Sequence, residues 1–193
     1  MKLLHNATII TAEKEAVGSI LIRNGKIEDI LYKEDEGYIQ KIIGIMKAGP
    51  EVMELEGKCV MAGGIDAHVH FREPGLTHKA DMETESRAAA AGGVTYVMDM
   101  PNTNPPTITA QALKDKIEMA KGRTAGKIAF HIGATNSNAA EICRLITEGD
   151  AETGITPDDI AGVKVFMGSS TGNMLVDSGS ALEELGRAAG KLV

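Results

Sequence analysis

The sequence contains few cysteines. Only Cys59 and Cys143 are present, far apart, without a CxxC spacing and each within an apolar stretch. Isolated cysteines in apolar surroundings are typical of buried free thiols. We therefore expect a reducing, cytoplasmic setting.

The chain also lacks a basic excess and a long apolar run. Its 193 residues carry a net charge of -7, with 43% hydrophobic and 24% charged residues and no lysine-arginine cluster. A nucleic-acid partner is not expected, because such domains usually show a basic excess or stripe. No apolar run approaches the roughly eighteen residues of a membrane span, and the N-terminus lacks the apolar core of a secretory signal. The composition fits a globular protein of one or two domains.

The first sixty residues predict a small antiparallel β module. Four segments have the composition of strands, namely residues 3–10, 19–32, 52–55 and 58–61. Asn24-Gly25 between β-rich runs is a strong hairpin signal, and Glu56-Gly57 would join the last two strands. Residues 33–50 allow no secure assignment.

From residue 61 onward, strand-like apolar runs alternate with helix-like periodic segments, which predicts a parallel sheet. The predicted order is a strand leading into His68 and His70, a helix over 82–91 capped by Asp81, a strand over 94–100, a helix from 109, a strand over 127–132, a helix capped by Asn138 with Glu141, a strand over 162–167 and a helix from Ser180 to Gly190. Residues 191–193 would open a fifth strand. We therefore expect a partial (β/α)8 TIM barrel, truncated after about four β/α units, over residues 61–193, because a complete barrel needs about 250 residues.

Two histidines, His68 and His70, alternate at the end of the first parallel strand. Residues i and i+2 of a strand share one face, so two imidazoles about 6–7 Å apart along the backbone can meet on one metal ion. The carboxyl ends of barrel strands are also where barrel enzymes place their active sites. The alternative is a polar strand end whose histidines bond to the backbone.

Two longer motifs surround these histidines. Residues 64–75 read GIDAHVHFREPG and residues 99–105 read DMPNTNP. With them, the sequence resembles the dihydroorotases of the amidohydrolase superfamily over essentially its whole length. Ala62 departs from the proline that is usual there in relatives. The combined motif is far more specific than the two histidines alone.

The resemblance implies a role for each polar residue of these motifs. His68 and His70 would bind one metal of a binuclear zinc centre, and Arg72 and Asn102 would hold the substrate carboxylate. A guanidinium offers a planar fork that matches a carboxylate. The alternatives are a surface salt bridge from Arg72, for example to Glu73, and simple turn chemistry for Asn102.

Lys164 lies within the apolar run 162–167. A lysine there is costly unless it is paired, reaches solvent or loses its charge. In relatives with a Lys-Val-Phe-Met strand, CO₂ carboxylates this lysine and the carbamate bridges two metals, so the resemblance implies the same for Lys164. The alternative is a strand-end lysine whose ammonium reaches solvent or an acidic neighbour.

Three other features attract functional interpretations. We expect His78 to be a solvated or capping loop residue, and His131, near the end of its strand, to border the site without binding metal. Residues 168–173 are glycine-rich but lack the P-loop lysine spacing, so an active-site loop is expected there rather than a phosphate cradle.

The implied reaction is the reversible, zinc-dependent hydrolysis of dihydroorotate to carbamoyl aspartate in pyrimidine biosynthesis. The family's general acid/base aspartate and two further histidine ligands would lie beyond Val193, so the chain alone is expected to be inactive. Open strand edges in a half barrel predict association in solution. The intact enzyme would be a homo-oligomer that acts on a small molecule.

Other functions remain open at this stage. Allantoinases and hydantoinases share the metal motif, but their relatives lack the pairing of Arg72 with Asn102. A non-catalytic dihydroorotase-like partner of aspartate carbamoyltransferase is a third possibility, although such proteins tend to lose metal ligands. A degraded gene product without function is the fourth.

Overall fold

The computed structural model describes residues 1–168 and 174–190. The chain forms two compact units, Met1–Ala62 and Gly63–Val193. The loop predicted to follow residue 168 and the strand predicted over 191–193 lie outside the described residues. Within the described part of the chain, no helix is both long enough and apolar enough to cross a membrane.

The first unit is a five-stranded sheet with one helix. Its elements are β1 (Lys2–Ile10), β2 (Glu15–Arg23), β3 (Lys26–Tyr32), α1 (Tyr38–Lys47), β4 (Glu51–Glu54) and β5 (Cys59–Met61). The strand order is β3-β2-β1-β4, and β5 also pairs with β1. The predicted hairpin is confirmed: β2 and β3 are antiparallel, and Asn24 and Gly25 turn with φ of 51° and 76°. Positive φ at both central residues is what a type I′ hairpin turn requires.

The prediction that the last two strands of this unit pair with each other is wrong. Both β4 and β5 pair with β1, and both run parallel to it, so the sheet is mixed rather than antiparallel. The register of β1 shifts between Leu4 and Ala7, where Asn6 has a φ of 58°. The turn at Glu56-Gly57 lies opposite this irregularity, and the Gly57 N–H donates to the Asn6 carbonyl at 2.7 Å. The turn therefore bends the chain between β4 and β5 without reversing its direction.

The segment left unassigned from the sequence contains α1. Tyr38 is its buried residue, and the Tyr38 hydroxyl lies 3.0 Å from the Ser19 hydroxyl, which in turn lies 2.9 Å from His5 Nδ1. Gly44 in the middle of the helix weakens its propensity. This helix depends on tertiary contacts such as that of Tyr38, which lie outside the local sequence.

The second unit alternates strands and helices. Its strands are β6 (Gly64–Val69), β7 (Val94–Asp99), β8 (Lys127–Gly133) and β9 (Ile160–Lys164), and its helices are α2 (Met82–Ala91), α3 (Ala110–Ala120), α4 (Ala139–Glu148) and α5 (Gly179–Ala189). All neighbouring strands are parallel, in the order β6-β7-β8-β9. This is the arrangement of about half of a (β/α)8 barrel, as predicted. Parallel strands bring their carboxyl ends to one edge of the sheet, which is where the site residues lie.

The core of this unit lies between the strands and the helices that cover them. One cluster joins β8, α4 and α5 through Ile132, Ile142, Leu145, Val176 and Leu185. A second cluster joins β7, β8 and the loop after β6 to α2 and α3 through Phe71, Met82, Val97, Leu113 and Phe130. At the two ends of the described sheet, β6 and β9 each pair with one neighbour only. Ile65 on β6 is 66% exposed, which is unusual for an isoleucine in a strand.

The helix boundaries follow local capping chemistry, with two corrections. The predicted cap of α2 is confirmed, since the Asp81 carboxylate accepts from the N–H groups of Glu83 and Thr84. Asn138 is the N-cap residue of α4, as predicted, but its side chain makes no capping hydrogen bond and instead bonds to backbone groups of Ile108, Gly133 and Thr135. The cap of α5 is Ser178 rather than Ser180. The last strand spans Ile160–Lys164, two residues earlier than predicted, and Lys164 ends it.

Candidate active site

The polar residues singled out in the second unit lie at or just beyond the carboxyl ends of four adjacent strands. His68 is in β6 and His70 follows it, Asn102 follows β7, His131 lies in β8, and Lys164 ends β9. The parallel sheet explains this placement, because parallel strands bring their carboxyl ends to one edge. The sheet therefore brings together residues that are almost one hundred positions apart in the sequence.

The rings of His68 and His70 form a close pair. Their centroids are 5.4 Å apart and their planes are inclined at 52°. The His68 ring is exposed, whereas the His70 ring is half-buried. The Asp66 carboxylate accepts a hydrogen bond from the His68 backbone N–H at 3.0 Å, which braces the strand end. Two imidazoles this close, on one side of a strand end, can converge on a single ion.

The environment of His70 favours the neutral imidazole. Burial lowers the pKa of His70, and the positive charges of Arg72 and His68 lower it further. The Asp99 carboxylate and a contact with the Asn102 side chain oppose this shift without reversing it. A neutral imidazole is the form that binds metal ions, so the electrostatics suit His70 for that role.

Arg72 occupies a strained position directly after the histidine pair. Its φ is 62°, in the left-handed region that non-glycine residues rarely adopt. The Arg72 guanidinium makes no ion pair with any residue that the structure describes. Glu73 instead pairs with Arg123 at 2.9 Å and accepts from the Met82 N–H. The salt bridge considered as an alternative role for Arg72 is therefore absent from the described residues, and its guanidinium is available to a ligand.

The loops after β6 and β7 are joined by backbone contacts. The Asn104 N–H donates to the Pro74 carbonyl at 3.1 Å, and the Met100 N–H donates to the Val69 carbonyl at 2.9 Å. These contacts bring Asn102 beside His70. The Asn102 Oδ1 atom is buried, and no described residue gives it a well-aligned hydrogen bond. A buried acceptor without a partner is uncommon in folded proteins and is consistent with a position that a ligand completes.

Lys164 is half-buried and makes no ion pair with a described residue. Its Nζ atom lies 4.8 Å from the centroid of the Phe166 ring, a cation–π distance. Its backbone carbonyl accepts from the Ala134 N–H, which fixes the end of β9 against β8. The acidic neighbour considered in the alternative interpretation is not found among the described residues.

His131 lies between Lys164 and the histidine pair. Burial lowers the pKa of His131, and the charges of His68 and Lys164 add to this effect. Its ring rests against Gly162, where a β-carbon would come within 3.1 Å of it, and no described residue gives its buried Nδ1 atom a well-aligned hydrogen bond. His131 thus borders the same edge of the sheet. His78, in contrast, is exposed in the loop before α2.

Two buried charged residues near the site were not identified from the sequence. Lys116 on α3 and Asp99 at the end of β7 form an ion pair, with 2.6 Å between Nζ and Oδ2. The signal for Lys116 was its position, because it follows Leu113 by three residues and precedes Ala120 by four, on the buried face of α3. A charged residue on an apolar helical face requires a buried partner.

The described residues include side chains of the types that bind metal ions, but they do not form a complete site. No group of three or more histidine, cysteine, aspartate or glutamate side chains within 1–168 and 174–190 is arranged to hold an ion. His68 and His70 nevertheless fit a metal by donor type and proximity, and Lys164 would add an oxygen ligand if it were carboxylated. The donor set is therefore compatible with a metal centre but contributes only some of its ligands.

The second unit thus has the fold of part of a β/α barrel, with polar residues gathered at the carboxyl edge of its sheet. Residues 59–161, more than half of the chain, match the Amidohydrolase family. The chain belongs to that family.

Individual relatives and solved structures agree with this assignment. The chain is 34% identical over 168 residues to a dihydroorotase of Methanosarcina acetivorans, a match that covers 86% of this chain and 31% of the relative. It is 38% identical over 133 residues to a Dictyostelium discoideum protein named "Probable allantoinase 2", covering 68% of this chain and 26% of the relative. Its structure resembles that of an L-hydantoinase from Arthrobacter aurescens, with a TM-score of 0.75, 26% identity and coverage of 95% of this chain and 37% of the other. The chain thus spans about a third of the length of these relatives.

Proposed function

We propose that this chain contributes the metal-binding and carboxylate-binding part of a dihydroorotase, which hydrolyses the cyclic amide of dihydroorotate to carbamoyl aspartate. The observation that carries the proposal is the close pair of His68 and His70 rings, 5.4 Å apart, beside the Arg72 guanidinium, which makes no ion pair with a described residue. Several of the curated relatives that it matches are named dihydroorotase, at 34% to 44% identity.

In this proposal, His68, His70 and a carboxylated Lys164 are the residues that would hold zinc. Zinc bound there would polarise the scissile amide carbonyl and activate water for attack. The lowered pKa of His70 supports its role, because the shift favours the neutral imidazole, which is the form that binds metal ions.

Arg72 and Asn102 would hold the carboxylate of dihydroorotate. The guanidinium presents parallel N–H donors, and charge-assisted hydrogen bonds of this kind are worth about 1.5–3 kcal/mol each. The Asn102 side chain would donate to the same carboxylate through its Nδ2 amide. Arg72 and Asn102 would therefore favour a substrate that carries a carboxylate over allantoin and hydantoin, which have none.

Catalysis requires groups that the described residues do not provide. A general acid must protonate the leaving nitrogen, and further ligands must complete the zinc coordination. We therefore propose that the 193-residue chain binds zinc and substrate weakly but does not turn dihydroorotate over. We further propose that it acts in the cytoplasm, without a nucleic-acid or membrane partner, and as a homo-oligomer in the intact enzyme.

The test is calorimetric titration of the purified chain with zinc, followed by titration of the zinc-loaded chain with dihydroorotate, allantoin and hydantoin. We expect zinc binding that is lost in His68→Ala/His70→Ala but kept in the control His78→Ala, and a preference for dihydroorotate. Preference for allantoin or hydantoin would assign the chain to the allantoinase or hydantoinase branch. Absence of zinc binding would contradict the proposal and favour a non-catalytic partner protein. Chelator-sensitive hydrolysis by the chain alone would contradict the inactivity.

A further inference from the structure

A buried ion pair lies directly behind the two loops that carry the site residues. Asp99 and Lys116 are almost completely excluded from solvent, with side-chain exposures of 0% and 1%. Burial lowers the pKa of Lys116, while the Asp99 carboxylate opposes that shift. Because desolvation consumes most of the attraction between two such charges, a buried pair is weak evidence for a stabilising role. Its contacts indicate what else it does.

The Asp99 carboxylate holds the loop after β6. Its Oδ1 atom accepts a hydrogen bond from the Phe71 N–H at 2.8 Å. Phe71 stands between His70 and Arg72, so this one bond fixes the backbone that joins a metal-ligand candidate to a substrate-binding candidate. Phe71 itself is buried and belongs to the core. The left-handed φ of Arg72 immediately follows this anchor.

The Lys116 ammonium holds the loop after β7. Its Nζ atom donates to the Met100 carbonyl at 2.9 Å, two residues before Asn102. The same ammonium lies 2.6 Å from Asp99 Oδ2 and 5.2 Å from the centroid of the Phe130 ring on β8. One cation from α3 therefore connects the ends of two strands to each other.

We propose that Asp99 and Lys116 are positioning residues that set the relative placement of His70, Arg72 and Asn102. They act through the backbone of Phe71 and Met100 and touch neither metal nor substrate. The inference rests on the proposed function for its consequence, but the placement itself can be measured without a metal. Partners of this kind, which orient the ligands of a metal site, commonly change metal affinity by about ten- to a hundredfold when removed.

Two double variants separate the hydrogen bond from the charges. Asp99→Leu/Lys116→Met replaces the pair by apolar side chains and removes both anchors without leaving a buried charge. Asp99→Asn/Lys116→Met also removes the charges but keeps an acceptor for the Phe71 N–H, so it releases only the Met100 carbonyl. The matched control is Asp150→Asn/Arg144→Met, which removes an ion pair of 2.9 Å in the loop after α4, away from the site.

The first readout is hydrogen–deuterium exchange of the metal-free full chain. We expect peptides that cover residues 68–73 and 99–104 to exchange at least tenfold faster in Asp99→Leu/Lys116→Met, with unchanged exchange in α4. In Asp99→Asn/Lys116→Met only the 99–104 peptide should accelerate. The control should leave both peptides unchanged. Wild-type exchange of the 99–104 peptide in Asp99→Asn/Lys116→Met would overturn the proposal, and this holds even if the apolar variant does not fold.

The second readout is zinc affinity, measured by competition with a chromophoric chelator. We expect at least a tenfold loss in Asp99→Leu/Lys116→Met, and no loss in the control. If the wild-type chain binds no zinc, the proposed function fails, while the exchange experiment still tests whether the ion pair fixes the placement of the two loops. If the exchange changes as expected but zinc affinity does not, the ion pair of Asp99 and Lys116 only stabilises the loops, and the positioning role is overturned.

Discussion

Gly75 lies directly against the backbone of Asn104: a β-carbon at residue 75 would come within 1.9 Å of the Asn104 carbonyl oxygen. Gly75 also has a φ of 77°, which side chains other than glycine rarely adopt. The loop that carries Arg72 and the loop that carries Asn102 can therefore approach each other only because residue 75 has no side chain. This contact couples the two candidate substrate-binding residues.

The first prediction is that Gly75→Ala destabilises the protein and separates the two loops. Overpacking of about 1–3 kcal/mol would add to a left-handed backbone cost of about 1–2 kcal/mol, so we expect the free energy of unfolding to fall by about 2 kcal/mol or more. Urea unfolding measures this. Gly122→Ala is the matched control, because Gly122 has a φ of 71° but no atom within 4 Å of the added carbon. Equal losses in the two variants would contradict the steric role of Gly75.

Much of the second unit was predictable from the sequence because its signals are local. The cap of α2 at Asp81 and the glycines that follow the helix lie within a dozen residues of each other, and the structure confirms the helix bounds. The position of His68 and His70 at a strand end also follows from local patterning. Such features need no knowledge of distant contacts.

The features that escaped prediction depend on long-range contacts. The parallel pairing of β4 and β5 with β1 joins segments about fifty residues apart. Lysines on helices are usually exposed, so the residue type of Lys116 predicts exposure; its burial is explained by the ion pair with Asp99. The Asn138 side chain donates to the backbone carbonyls of Ile108 and Gly133, which are far from α4 or on the preceding strand. These bonds replace the hydrogen bond that its side chain was expected to make to the first turn of α4.

The second prediction concerns Arg72. In the zinc-loaded chain, Arg72→Lys should weaken dihydroorotate binding by about tenfold or more, because lysine keeps the charge but loses the planar fork of donors. Arg72→Gln should weaken it further. Binding of hydantoin, which has no carboxylate, should not change. Isothermal titration of each ligand measures the difference.

Arg87→Gln is the control, since Arg87 lies on the exposed face of α2 and, among the described residues, pairs with Glu83. A parallel loss for hydantoin would mean that Arg72 supports the loop rather than binding the carboxylate.

The third prediction concerns acid stability and Asp150. Hydrogen bonds from the Thr153 hydroxyl and N–H, and from Arg144, lower the pKa of Asp150 from 3.8 to about 2. A carboxylate whose pKa is lower in the folded state stabilises the fold above its unfolded pKa, and this contribution is lost as the pH falls from about 4 to about 2. Asp150→Asn should therefore be less stable than wild type at pH 6, and the difference should shrink toward pH 2.5. Urea unfolding at several pH values measures it.

The last prediction concerns the modification of Lys164. If CO₂ carboxylates its amine, zinc affinity should rise when bicarbonate is added and fall when dissolved CO₂ is removed, because the carbamate supplies anionic oxygen ligands that the ammonium cannot. Carbon-13 NMR of the zinc-loaded chain in labelled bicarbonate should show a bound carbamate signal, absent in Lys164→Ala. That variant should also bind less zinc and lose the bicarbonate response.

Lys127→Ala is the control, since Lys127 is exposed at the amino end of β8, whereas Lys164 lies at the carboxyl end of β9. A bicarbonate response that survives in Lys164→Ala would exclude Lys164 as its source and leave the two histidines as the chain's metal ligands.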